Sequence, residues 1–135
     1  MANEYKGVSS IMPITFVENL ATLGAEADIA PYGITQAIGV VLPFDGSIVG
    51  LSASHTEAST EDIILSIQLS TADEFTVTLA KATDSEVIAR YMPGTYSITA
   101  GEELTVTAKW ASGSSADDAG ETLVTVWVQV GSSGT

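Results

Sequence analysis

The 135-residue sequence contains one histidine, His55, set in the polar run HTEASTED, and no cysteine. A histidine that works as a general base needs a nucleophile beside it and a third group to orient it. Serine and threonine are abundant, but neither a nucleophile-elbow pattern nor a second histidine accompanies His55, which is read as an exposed loop residue. The carboxylates come as neighbours: Glu61-Asp62, Glu102-Glu103 and Asp117-Asp118. Glycoside hydrolysis needs two carboxyl groups facing each other across a cleft, which adjacent residues in a loop do not provide. The run ADDAGE offers oxygen ligands but lacks the alternating spacing of a calcium loop, so a solvated acidic loop is expected. No zinc spacing, phosphate loop or dinucleotide fingerprint is present, and without cysteine there is no disulfide or thiolate chemistry. The expectation is therefore no catalytic residue, no metal, no cofactor and no enzyme. Tyr32, Tyr91 and Tyr96 are candidates for a sugar site, against the alternative that they pack within strands.

The elements that position these residues are strands. LVTVWVQV puts Val124, Val126, Val128 and Val130 on one face and Leu123, Thr125, Trp127 and Gln129 on the other. ELTVTAKW sets Leu104, Val106, Ala108 and Trp110 against Thr105, Thr107 and Lys109, which places Trp110 in a core. EFTVTLA and IILSIQLS alternate in the same way, with Val and Thr as favoured strand formers on opposite faces. Gly, Pro, Asp, Ser and Thr cluster between these runs, as turns require. About eight short strands follow: YGITQAIGVVL, GSIVGLSA, IILSIQLS, EFTVTLA, EVIARYM, TYSIT, ELTVTAKW and TLVTVWVQV. The fold class is all-β, an antiparallel two-sheet β-sandwich, jelly-roll-like because eight is the jelly-roll number. The sandwich spans residues 32–131, after an N-terminal arm of residues 1–31 and before a flexible tail of residues 132–135.

The stretch VVLPFDGSIVGLSAS reads as strand, corner, strand. Pro43 cannot donate to a ladder, Asp45-Gly46 is a turn dipeptide, and Val49, Leu51 and Ala53 then share a face, with Gly50 marking a bulge or a close backbone approach. The arm looks different. TFVENLATLGAEAD has a capping-box shape in Thr15 and Glu18 and apolar residues at Phe16, Leu20 and Leu23, consistent with an extended segment or two helical turns stopped at Gly24. It either packs on its own sandwich or docks on a partner. Ile11, Met12, Ile14, Phe16, Leu20 and Leu23 are the interface candidates, joined by Trp127, which lies opposite the valine face and belongs either to the core with Leu123 or to an interface.

Charge narrows the partners. Four Lys+Arg stand against 17 Asp+Glu, a net charge of −13, so no basic patch exists to neutralise phosphates and neither nucleic acid nor an anionic membrane is expected. The longest apolar run, AIGVVLPF, is eight residues, too short for a membrane helix. MANEYKGVSS lacks a hydrophobic signal core, so export by a standard signal is not expected.

PFDGSIVGLS, a Thr/Val strand, TAGEELTVTAKW, a Ser/Asp/Gly loop and TVWVQV, in that order over residues 40–54 and 98–130, resemble the small jelly-roll proteins of tailed-bacteriophage virions. Those include capsid decoration (cement) proteins and the jelly-roll modules of head and tail fibres. The resemblance implies a structural protein made in the host cytoplasm and bound to the outer capsid surface, with the major capsid protein and two further copies of itself, as a homotrimer, for partners. A fibre-base or receptor-binding module recognising host-surface glycan is the alternative it implies.

Overall fold

The computed structural model describes residues 10–19, 27–31, 39–55, 61–70, 72–81, 85–111 and 121–131. Strands occupy most of them: β1 Ile11–Asn19, β2 Ala27–Ile29, β3 Val40–Val41, β4 Gly46–His55, β5 Ile63–Leu69, β6 Ala72–Leu79, β7 Glu86–Arg90, β8 Ser97–Ile98, β9 Glu103–Trp110 and β10 Glu121–Val130. No helix occurs among the described residues.

All pairings are antiparallel and form two five-stranded sheets. The first runs β1-β10-β4-β7, with β8 beside β7 on the same flank of β4; the second runs β2-β9-β5-β6, with β3 beside β2 on the same flank of β9. With β2–β3 and β7–β8 taken as interrupted single strands, the chain has eight. The first pairs with the eighth, the second with the seventh, the third with the sixth and the fourth with the fifth. This is a long hairpin rolled into two sheets, the jelly-roll arrangement.

Alternation decides what lies between the sheets. Val124, Val126 and Val128 of β10 and Leu104, Val106, Ala108 and Trp110 of β9 are fully buried and share one core with Ile63, Leu65 and Ile67 of β5. Strand β4 needs a correction of parity. Trp127 pairs with Gly50 but Val128 pairs with Ile48, which leaves Val49 as the extra residue of a bulge. Ile48, Leu51 and Ala53 therefore all point inward, and Val49 does not share their face as alternation alone implies. At the corner before β4, a Cβ on Gly46 would collide with the Gln129 carbonyl oxygen, so only glycine fits there.

Both open sides of the sandwich are fastened. On one, Val17 N–H donates to Ala30 O (2.9 Å) and Phe16 bridges to Pro31, tying β1 to the chain just after β2. On the other, Phe75 of β6 meets Tyr91 and Tyr96, which follow β7 and precede β8, with ring centroids 4.7 and 4.3 Å away. Between these tyrosines the edge strand makes an excursion. Tyr91 N–H reaches Val49 O and Tyr96 O accepts from Ile48 N–H, so the ladder continues while residues 92–95 loop out. Thr95 N–H closes that turn on Met92 O, and Gly94 follows Pro93 at φ +92°, the position where a type II turn needs glycine.

The N-terminal reading is corrected. Residues 11–19 are an edge strand of the first sheet, paired over their whole length with β10, and residues 27–29 belong to the second sheet, so the sandwich begins at Ile11 rather than at residue 32. Thr15 does not cap a helix; its Oγ1 lies 3.3 Å from Thr125 Oγ1 across the ladder, and Glu18 Oε1 accepts from Ala30 N–H. The strand wins because its even positions fill the core: Phe16 is fully buried and Ile14 packs against it. Leu20, Leu23, Tyr32, Asp117, Asp118 and residues 132–135 lie outside the described residues, as does most of YGITQAIGVVL.

Phe16→Ala should cost about 3–5 kcal/mol, the usual range for removing a buried aromatic ring. Urea denaturation followed by circular dichroism measures this; an unchanged midpoint would mean that β1 is not part of the sandwich.

Candidate functional site

Among the described residues, His55 lies inside the sandwich, and Asp45, Asp62 and Glu102 hold turns and corners. His55 is 1% exposed, not an exposed loop residue. It closes β4 with the inward parity of Leu51 and Ala53, pairs in register with Thr122, and its N–H donates to Ser85 O at 3.0 Å. The polar run of the sequence begins with this residue, which is why composition misplaced it. Asp62 Oδ1 accepts from Lys81 N–H (2.8 Å), Asp45 Oδ1 from Ala100 N–H (2.8 Å) and Glu102 Oε1 from Thr99 N–H (2.6 Å). These carboxylates serve turns and corners. Among the described residues, no three His, Asp or Glu side chains are grouped to hold a metal ion.

The tyrosines form a clasp rather than a platform. Tyr91 and Tyr96 meet edge to face at 4.9 Å, and both touch Phe75, so the rings cover one another. Burial raises the Tyr91 pKa above that of a free phenol, and the neighbouring Tyr96 phenol adds to the rise.

What the sheets leave open is the outer face of the first one. Its cross-strand rows read Pro13–Trp127–Gly50–Arg90, Thr15–Thr125–Ser52–Ile88 and Val17–Leu123–Ser54–Glu86. Ile88 is 74% exposed, Ile11 57%, Leu123 42% and Trp127 39%. A groove of about 400 Å³ runs between Ile11, Val49, Ile88, Arg90 and Trp127, and a hollow of about 150 Å³ continues it between Leu123 and Ile88. The bulge shapes this groove. A Cβ on Gly50 would lie 3.5 Å from Trp127 Cδ1, so the absent side chain leaves the floor beside the indole open. Trp127 Nε1 reaches Ser52 Oγ at 3.5 Å.

Charge sets this face apart. The first two rows hold no carboxylate, and Arg90, one of four Lys or Arg in a chain of net charge −13, ends the first; Glu86 ends the third, and Glu121 follows Leu123 on the same face of β10. The second sheet presents Thr76, Thr78 and Lys109 instead, with Gln68 Nε2 donating to Asp73 Oδ1 at 2.7 Å.

Of the interface candidates named from sequence, the structure brings Ile11 and Trp127 to this face. Met12 and Ile14 are half-buried on the core side and Phe16 is inside it. Sequence reasoning missed Ile88, Leu123 and Arg90 as parts of one surface. The signal was available for Ile88: in EVIAR it shares a face with Glu86 and Arg90, and an apolar residue between two charges of one strand face is an exposed one.

No protein-family model matches the chain, and no curated protein matches it.

The Tyr91 shift has a defined pH consequence. A folded-state pKa above the unfolded value means that the folded state holds the phenolic proton more firmly. That contribution is complete below pH ~10 and is lost as pH rises through the folded value. Thermal melts between neutral and strongly alkaline pH should show a falling limb that Tyr91→Phe flattens; identical limbs in the two proteins would remove Tyr91 as its source.

Proposed function

We propose that the chain is a structural virion protein that decorates a phage capsid, docking on the major capsid protein through the outer face of its first sheet. The observation that carries this reading is the nearly carboxylate-free apolar face around Trp127 and Ile88 in a chain of net charge −13. Single exposed apolar residues are ordinary; four on one sheet face mark a contact surface. The face lies on four paired strands, so little ordering is needed on binding, which lowers the cost of association. A standard interface covers roughly 800 Å² per partner. Trp127, over its glycine floor, has the features of an energetic hot spot: an aromatic ring, a central position and a polar handle to Ser52. The acidic remainder of the surface faces solvent and keeps docked copies from aggregating. The strand-and-turn likeness to virion jelly rolls supports the same assignment. No nucleic acid, membrane or cofactor enters the proposal.

The test is co-sedimentation with undecorated capsids built from the major capsid protein of the same virus. The wild-type chain should bind to saturation, and Trp127→Ala should weaken binding roughly 30-fold, the loss expected at a hot spot. A wild-type chain that stays in the supernatant overturns the proposal. Retention on immobilised host glycans in that case would transfer the assignment to a receptor-binding module.

A further inference from the structure

The four boundaries of the two sheets are not treated alike. On β1, Ser10 O accepts from Val130 N–H, so even-numbered residues face β10 and odd-numbered backbone groups face outward. There Pro13 has no N–H to offer, and Val17 N–H is taken by Ala30. β6 carries a bulge at Glu74, where Ile67 pairs with Phe75 but Gln68 pairs with Asp73. β2 and β3 have three and two residues. Prolines, bulges and short strands are the usual means of stopping sheets from joining edge to edge.

β7 has none of these; its edge carries instead one charge of each sign, Glu86 and Arg90. Its odd residues face β4, because Tyr91 N–H reaches Val49 O and Ser85 O accepts from His55 N–H. The N–H and C=O groups of Glu86, Ile88 and Arg90 therefore point away from the sheet, and among the described residues no other strand pairs with them. The turn at residues 92–95 leans back over β4, where Gly94 N–H donates to Ser47 Oγ (2.9 Å), and does not cover the edge.

The side chains of these three residues form a self-complementary code. We infer that two copies of this chain pair antiparallel through β7, with Ile88 on the two-fold axis, Glu86 opposite the second copy's Arg90 and Arg90 opposite the second copy's Glu86. In that register each outward N–H and C=O finds its counterpart, two ion pairs flank an Ile–Ile contact, and the two first sheets become one. A one-residue slip would face the wrong backbone groups, a two-residue slip would leave the charges without their partners, and a four-residue slip would set like charges opposite. The net charge of −13 does not forbid the contact. Charges beyond about 8–10 Å are screened at physiological ionic strength, and the described charges of β7 sum to zero. The inference is independent of the capsid assignment, since it concerns the isolated chain.

Sedimentation velocity over a concentration series tests it without capsids. The wild-type chain should pass from monomer to dimer. Arg90→Glu, which makes both flanking pairs repulsive, should weaken dimerisation roughly tenfold or more, and the exchanged double variant Glu86→Arg/Arg90→Glu should restore it. Ile88→Pro removes an outward N–H that the fold does not use, so it should abolish the dimer while the circular dichroism spectrum is kept. A wild-type monomer at every concentration, a trimer, or a dimer indifferent to the charge exchange would each overturn the inference. Should Ile88→Pro fail to fold, the charge exchange decides alone.

Discussion

The inner faces of β9 and β10 must meet, and the remaining elements arrange themselves around that contact. Each is flanked by strands on both sides, and together they carry the unbroken apolar rows Leu104–Val106–Ala108–Trp110 and Val124–Val126–Val128. A strand that pairs with either must keep its own apolar parity turned the same way. β5 does so by simple alternation. β4 does so only by inserting Val49 as a bulge, so that Ile48 and Leu51 both reach the core. A one-residue error here would turn every later side chain of β4 outward.

The same bulge links packing to surface chemistry. It sets Gly50 beside Trp127, opens a groove floor and leaves Val49 at the groove wall. The proposed docking face is thus a by-product of solving the core. Its apolar residues come from four strands far apart in sequence, so no local motif announces them. Asp45, Asp62 and Glu102 accept hydrogen bonds that hold turns and corners, and the one histidine lies inside the sandwich.

From β4 onward the fold was legible because apolar and polar residues alternate cleanly and Gly, Pro and Asp punctuate the runs. β1 was not, and the reason is physical. IMPITFVEN is apolar on both faces: Met12, Ile14 and Phe16 look inward, while Ile11, Pro13 and Val17 take outward positions. Two apolar faces erase a period of two, and Thr15 with Glu18 imitates a helix cap. His55 was misplaced because a strand can run one residue into a polar segment when parity makes that residue a core position. Ile11 and Trp127, named from sequence as interface candidates, are exposed, whereas their neighbourhood with Ile88 and Arg90 depends on register, which a single sequence does not disclose.

The excursion at residues 92–95 separates length from register. Tyr91 and Tyr96 keep the ladder to β4 and their rings hold the stem, so the register of the edge is set on either side of the turn and not by its length. Doubling such a linker costs only about 0.6 kcal/mol in closure entropy. The edge of the sheet therefore contains a cassette: a site where descendants of this chain can gain a peptide of new composition, presented beside the apolar groove, without any strand learning that the sequence has grown.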